Sequence, residues 1–153
     1  MASILIIYHT QGGNTQKMAE AVAAGAASVK DTKVVLKKAK DAAIEDLLSC
    51  DGIAIGSPEY FGNMAGMIKD FFDRTYEAAK GKPGIFKKPY SVFISAGNDG
   101  RNARDQIERI CLGYPFKKVY EPLILRGLPE EDGLKKCREM GQTIAAGCDM
   151  GIY

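Results

Sequence analysis

The sequence predicts an α/β fold, a three-layer doubly wound domain in which a five-stranded parallel sheet lies between two layers of helices. Strand-like and helix-like segments alternate along the whole chain, as in folds built from strand–helix–strand units. Three of the strands are almost entirely apolar, which is typical of strands covered by helices on both faces. With 153 residues, 46% of them hydrophobic, the chain is long enough for a single domain spanning residues 1–153.

Each element follows from the spacing of apolar residues and from the glycines and prolines between them. The first strand contains the apolar run Ile4-Leu5-Ile6-Ile7, and Met18, Val22 and Ala26 form one face of the first helix. The second strand is short and bounded by lysines, which suits the edge of a sheet. The predicted strands are residues 3–8, 33–37, 51–56, 90–95 and 118–125. The predicted helices are residues 15–29, 43–49, 64–80, 102–112 and 131–148.

Composition excludes several classes of function. The 21 lysines and arginines against 19 acidic residues leave a net charge of +2, too balanced for a nucleic-acid-binding protein. No apolar run approaches the ~18 residues of a membrane span, and no signal peptide is present, so we expect a cytoplasmic protein. The four cysteines are widely spaced, which predicts buried free thiols rather than a metal site. His9 is the only histidine, so a histidine-based metal site or a Ser-His-Asp triad is not expected.

The most informative segment runs from Tyr8 to Thr15 (Tyr-His-Thr-Gln-Gly-Gly-Asn-Thr), between the first strand and the first helix. The unpaired N–H groups of a first helical turn, together with the helix dipole, form an anion site. Because the loop lacks the lysine of a P-loop and the pattern G-x-G-x-x-G, a single terminal phosphate held by amides and hydroxyls fits best. The other interpretation is an ordinary turn in which Asn14 or Thr15 caps the helix.

Two more loops should meet this one, because ligands of doubly wound sheets bind at the carboxyl ends of the strands. They follow the third and fourth strands and cover residues 56–64 and 95–101. Tyr60 and Phe61 are unusual in a loop and could contact a flat aromatic ligand, although both, or Phe61 alone, could instead fold back onto the core. Asn63 could cap the next helix. Arg101 could contact a phosphate or face the solvent.

In this order and spacing, two stretches resemble the flavodoxin-like family. They are Gly12-Gly13-Asn14-Thr15 with the helix that follows, and Gly56-Ser57-Pro58 with Phe61-Gly62-Asn63-Met64. The second is especially similar to the FMN-dependent NAD(P)H:quinone oxidoreductases. The resemblance covers essentially the whole chain and implies strand order 2-1-3-4-5, with FMN bound where the strand order reverses.

The resemblance also implies the residues that bind FMN. Around the phosphate they are Thr10, Gln11, Gly12, Gly13, Asn14 and Thr15. Along the ribityl chain and the isoalloxazine ring they are Ser57, Pro58, Glu59, Tyr60, Phe61, Gly62, Asn63 and Met64. At the pyrimidine side of the ring they are Ser95, Ala96, Gly97, Asn98, Asp99 and Gly100.

Three functions remain open at this point. The first is an oxidoreductase that passes electrons from NAD(P)H through FMN to a quinone or similar acceptor, without a catalytic side chain. The second is a flavodoxin-type electron carrier between protein partners, although such carriers are strongly acidic and this chain is not. The third is a non-redox role that keeps the fold. His9 stands where the family more often has a small or hydroxyl residue, and the chain is short for the quinone oxidoreductases, whose extra segments help to build a homo-oligomer.

Overall fold

The computed structural model describes residues 1–153 and confirms the predicted parallel sheet with helices on both faces. The strands are β1 (Ser3–Tyr8), β2 (Lys33–Lys38), β3 (Gly52–Tyr60), β4 (Asn63–Met64), β5 (Pro89–Ala96), β6 (Lys117–Lys118) and β7 (Leu123–Arg126). The helices are α1 (Asn14–Ala27), α2 (Ile44–Ser49), α3 (Gly66–Ala79), α4 (Arg101–Gly113) and α5 (Glu131–Met150), with a short 3₁₀ turn at Ala39–Asp41.

The parallel strands lie in the order β2-β1-β3-β5, and β6 and β7 both pair with the outer side of β5. This is the predicted order 2-1-3-4-5, with the fifth strand divided in two. At the carboxyl edge, Tyr8 lies between Lys38 of β2 and Gly56 of β3. The strand order therefore reverses next to the loop that follows β1, where a doubly wound sheet binds its ligand.

Two apolar layers hold the helices onto the sheet. On one face, Phe71 and Phe72 of α3 and Ile107 of α4 pack against Ile7 and Ile55. On the other face, residues of α1 and α5 pack against alternate residues of the same strands, among them Ile4 and Ile6. Because both faces of the inner strands are covered, nearly every residue of β1 and β5 is buried, as their continuous apolar runs predict.

Helices α1 and α5 approach each other most closely at two glycines. A Cβ atom on Gly25 would lie 1.9 Å from the carbonyl oxygen of Arg138, and one on Gly141 would lie 1.9 Å from that of Val22. No side chain fits at either position, so these glycines set the spacing of the two helices.

The structure differs from the prediction in two places. The fifth strand is not continuous over residues 118–125, because residues 119–122 separate β6 from β7; Pro122 within that break has no N–H for the sheet. The third helix begins at Gly66 rather than at residue 64, because β3 continues into a hairpin with β4. Phe61 and Gly62, both with positive φ, form its two-residue turn.

The cysteines form no disulfide: Cys50, Cys111 and Cys137 are buried and Cys148 is half-buried. Burial raises the thiol pKa of Cys50, Cys137 and Cys148 to about 11, so these side chains act as small apolar groups. No helix is long and apolar enough to cross a bilayer.

Candidate functional site

Three loops at the carboxyl edge of the sheet enclose a cleft of about 300 Å³. Eleven of its twelve lining residues are among the predicted site residues, and the twelfth is Gly127. The lining consists of Thr10, Gln11, Gly12, Asn14, Thr15, Pro58, Glu59, Tyr60, Ser95, Ala96, Gly97 and Gly127. The loop after β1, the β3–β4 hairpin and the loop after β5 therefore meet as the sequence predicts.

The start of α1 presents free backbone donors to this cleft. Gly13 is the N-cap residue, with φ of 100°, and the first bond within the helix runs from the Lys17 N–H to the Gly13 carbonyl (3.1 Å). The amides of Asn14, Thr15 and Gln16 consequently have no acceptor in the helix. No side chain caps α1 and its first turn contains no acidic residue. The interpretation in which Asn14 or Thr15 caps the helix is therefore wrong, and the helix end is open to an anion.

A buried pair of hydroxyls ties this helix end to β5. The Oγ1 atom of Thr15 lies 2.7 Å from the Oγ atom of Ser95, and the two residues are 1% and 7% exposed. Thr10 orders the loop before them, because its Oγ1 atom accepts the Gly13 N–H at 3.0 Å. Two of the three loops are thus joined at the floor of the cleft.

Glu59 joins the third loop, the β3–β4 hairpin, to the loop after β5. Its carboxylate accepts the backbone N–H of Asn98 at 2.9 Å and that of Gly100 at 2.8 Å. Gly100 is the N-cap residue of α4, so the carboxylate also lies at the positive end of a helix dipole. Glu59 is the only charged residue in the lining, and both of its oxygens are occupied by the protein.

Polar contacts outside the cleft also hold the β3–β4 hairpin in place. The Ser57 hydroxyl donates to the Pro58 carbonyl and accepts the Ala65 N–H (2.9 Å). Asn63 does not cap α3, whose N-cap residue is Ala65. Its Oδ1 atom instead accepts hydrogen bonds from the side chains of Asn102 and Gln106 on α4, each at 2.9 Å. Ser57 and Asn63 thus position the hairpin and do not line the cleft.

The two aromatic residues of the hairpin have different surroundings. Tyr60 is half-buried, and its ring meets the His9 imidazole edge-on with centroids 5.9 Å apart. Phe61 is 104% exposed and has φ of 52°. The interpretation in which Phe61 folds back onto the core is therefore wrong, because the tight turn directs its side chain into solvent.

Tyr8, the last residue of β1, and His9, which follows it, are affected by charges of opposite sign. Burial, and then the charges of Glu20 and Asp41, raise the pKa of Tyr8. Burial, and then the charges of Lys38 and Lys40, lower the pKa of His9. After burial, the charges of these two lysines are therefore the main influence on the His9 pKa.

The remaining predicted residues lie around the cleft but not in its lining. They are Gly13, Ser57, Phe61, Gly62, Asn63, Met64, Asn98, Asp99 and Gly100. Arg101 forms an ion pair with Asp99 at 3.2 Å and also stays outside the lining. Gly127 was missed as a site residue, because Gly127-Leu128-Pro129 indicates in the sequence only the separation of the fifth strand from the last helix. Its amide bonds the Ala96 carbonyl at 3.0 Å, which brings it to the cleft.

This donor set suits a ligand with one phosphate and a flat polar ring. Amides and hydroxyls gather at one end of the cleft, and no lysine or arginine lines it. The rest of the lining comes from Pro58, Glu59 and Tyr60 of the β3–β4 hairpin and from residues 95–97. Gly12 has no atom within 4 Å of the Cβ position it lacks, so the backbone there is open to close approach.

Comparison with known proteins agrees with this geometry. The family model described as NADPH-dependent FMN reductase matches residues 3–114. A protein named flavodoxin from Aquifex aeolicus (strain VF5) is 49% identical over 161 residues, covering 95% of this chain and 86% of that protein. A protein named NAD(P)H dehydrogenase (quinone) from Acidithiobacillus ferrooxidans (strain ATCC 53993 / BNL-5-31) is 36% identical over 115 residues, covering 62% of this chain and 57% of that protein.

Among solved structures, a flavodoxin from the domain Archaea superposes with a TM-score of 0.82 at 24% identity, over 96% of this chain and 99% of that one. This similarity shows the flavodoxin-like fold. The family model matches most of the chain, including the strands and the three loops that build the cleft, and therefore shows the family as well as the fold. The chain therefore belongs to the NADPH-dependent FMN reductase family, with a flavodoxin-like fold and FMN as its cofactor.

Proposed function

We propose that this protein is an oxidoreductase that passes electrons from NAD(P)H through FMN, bound in the three-loop cleft, to a quinone or a similar acceptor. The observation that carries the proposal is the open N-terminus of α1, whose free amides face a cleft with hydroxyls but no cation. The family match and the relatives named NAD(P)H dehydrogenase (quinone) support the use of a nicotinamide donor.

The residues divide into two groups. Thr10, Asn14 and Thr15 hold the phosphate with their hydroxyl and amide groups, together with the backbone of Gln11, Gly12 and Gly13. The β3–β4 hairpin and residues 95–100 hold the ring between them, with Tyr60 at its edge. The Glu59 carboxylate sets the distance between these two walls, because it bonds two amides of the opposite loop.

FMN supplies the redox chemistry when it is bound, by accepting a hydride equivalent and passing on electrons. The protein binds and orients the cofactor and leaves one side of the cleft open. No histidine or acidic side chain in the lining is free to move a proton, since Glu59 is held by two amides. We therefore assign no catalytic acid or base.

A second candidate is an electron carrier without NAD(P)H turnover of its own. The Aquifex aeolicus relative favours it, since that protein is named flavodoxin and aligns with 95% of this chain. The net charge of +2 opposes it, because electron carriers of this fold dock through acidic surfaces.

Steady-state oxidation of NADH and NADPH, with a soluble quinone as acceptor, tests the proposal. The FMN-loaded protein is expected to turn over, and the same protein loaded with riboflavin, which lacks the phosphate, is expected to bind its cofactor weakly. Tight FMN binding without turnover of either nucleotide would support the carrier instead. Failure to bind FMN would contradict both candidates.

A further inference from the structure

The β3–β4 hairpin forms one wall of the cofactor cleft, although its own ladder is very short. It contributes Pro58, Glu59 and Tyr60 to the lining. Its two strands pair at only two positions, Glu59 with Met64 and Tyr60 with Asn63. Because a two-stranded hairpin by itself is at best marginally stable in water, contacts from outside the ladder are needed to hold this wall in place.

The turn of the hairpin adds to this need. Both of its residues have a positive φ, 52° at Phe61 and 79° at Gly62. Glycine adopts this conformation readily, but for an aromatic residue it is unfavourable in free energy. The Phe61 side chain is fully exposed, so its packing does not offset this strain. The turn therefore depends on hydrogen bonds from a neighbouring element.

Those hydrogen bonds come from two side-chain amides of α4, Asn102 and Gln106, which we call the α4 amide pair. The two residues are four positions apart and therefore lie on the same face of the helix. The Asn102 Nδ2 group donates to the Gly62 carbonyl at 2.8 Å and to the Asn63 Oδ1 atom at 2.9 Å. The Gln106 Nε2 group donates to the same Oδ1 atom at 2.9 Å, and the Gln106 Oε1 atom accepts the Met64 N–H at 2.8 Å. The pair thus bonds three consecutive residues of the hairpin.

The donors and acceptors of this network match one another. Asn102 uses both N–H bonds of its side-chain amide, and the Asn63 oxygen accepts two hydrogen bonds, one for each lone pair. Gln106 uses both its oxygen and its nitrogen. Neither residue of the pair lines the cleft, so the pair acts on a bound ligand through the hairpin.

Helix α4 is also attached to the opposite wall of the cleft. It begins directly after the loop whose residues 95–97 line the cleft. Glu59 of the hairpin bonds the amides of Asn98 and Gly100 in that loop. The α4 amide pair adds a second attachment, from the first two turns of α4 to the tip of the hairpin. The two walls are therefore joined both at the strand of the hairpin and at its turn.

We propose that Asn102 and Gln106 are positioning residues for the flavin ring, because they hold the β3–β4 hairpin against α4. Without the pair, the tip of the hairpin loses its attachment and water gains access to the ring. The inference rests on the proposed binding of the ring between the hairpin and the loop after β5. It does not depend on NAD(P)H or on the electron acceptor.

The experiment compares the wild-type protein with Asn102→Ala/Gln106→Ala by titrating each apoprotein with FMN and with riboflavin. Both dissociation constants are expected to rise by the same factor, roughly three- to tenfold, because the lost hydrogen bonds act on the ring and not on the phosphate. The visible absorption bands of the bound flavin are expected to shift towards those of the free flavin. Amide hydrogen exchange at Met64 is expected to accelerate.

Two further variants separate positioning from a loss of the fold. Gln142→Ala removes the same type of side chain from an exposed position on α5 and is expected to change none of these measurements. Asn102→Ala alone alters an exposed residue and is expected to show a smaller effect in the same direction, since the Gln106 contacts remain. Urea unfolding of each apoprotein shows that the variants compared are folded.

Three results would overturn the proposal. One is faster exchange at Met64 with unchanged affinity and unchanged absorption bands, because the pair would then stabilise only the hairpin itself. Another is a larger loss for FMN than for riboflavin, because the effect would then lie at the phosphate. The third is a wild-type protein that binds neither flavin, and only this result would also contradict the proposed function.

Discussion

The hydroxyl oxygens of Thr15 and Ser95 lie 2.7 Å apart in a buried position that joins the start of α1 to the end of β5. The pair brings together residues that are 80 positions apart in the chain. It lies at the end of the cleft where the free amides of α1 converge. We therefore expect the Thr15 hydroxyl to act both on the order of the site and on phosphate binding.

The first prediction concerns Thr15→Ala, which should weaken FMN binding more than riboflavin binding. A lost hydrogen bond to a charged group costs roughly 1.5–3 kcal/mol, or about tenfold or more in the dissociation constant. Fluorescence titration of the apoprotein with each flavin measures the difference. Thr15→Ser keeps the hydroxyl and is the control. Equal losses for the two flavins would mean that Thr15 acts only through Ser95 and not on the phosphate.

The second prediction concerns Glu59→Ala, which removes the acceptor for two amides of the loop after β5. Each amide that loses a charged acceptor forfeits a contribution of about 1–3 kcal/mol, less here because Glu59 is only half-buried. We expect faster hydrogen exchange at Asn98 and Gly100 and weaker binding of FMN and riboflavin alike. Glu59→Gln keeps one oxygen acceptor and should show a smaller effect. Unchanged exchange at both amides would contradict the role given to Glu59.

The sheet could be predicted because each of its strands is indicated by a short stretch of the sequence. Apolar runs such as Ile4-Leu5-Ile6-Ile7 identify covered strands, and the order of strands and helices limits the possible topologies. The same evidence placed the fifth strand over residues 118–125, where the structure has a break at 119–122. A single proline in an edge strand is a weak signal beside the apolar residues around it.

The candidate site could be predicted only in outline. The ends of the predicted strands indicate which loops meet, and eleven of the twelve lining residues lie in those loops. The Glu59 contacts span 39 and 41 positions, and nothing in the local pattern pairs those residues. Gly127 reaches the cleft only because β7 lies beside β5. The exposure of Phe61 depends on the positive φ of a turn that the sequence did not identify as a hairpin.

The third prediction concerns the contact between α1 and α5. Gly141→Ala places a Cβ atom 1.9 Å from the Val22 carbonyl oxygen, so the helices must separate. Overpacking of this kind destabilises a protein by about 1–3 kcal/mol. Urea unfolding measures the change. Gly113→Ala, at the end of α4 with no atom within 4 Å of the new Cβ, is the control and should leave stability unchanged or slightly raised. Equal stabilities for the two variants would show that the helices tolerate a wider spacing.

The last prediction uses His9, the only histidine, as a reporter of the charge beside the cleft. Burial and then Lys38 and Lys40 lower its pKa, so its NMR titration should have a midpoint below 6.5. Because the folded state then binds fewer protons than the unfolded state, this group favours folding above pH 6.5 and that contribution is lost as the pH falls below it. Lys38→Gln/Lys40→Gln should move the midpoint upward, whereas Lys30→Gln/Lys33→Gln should not. A midpoint that both double variants leave in place would mean that burial alone sets the pKa and that the lysine charges do not reach His9.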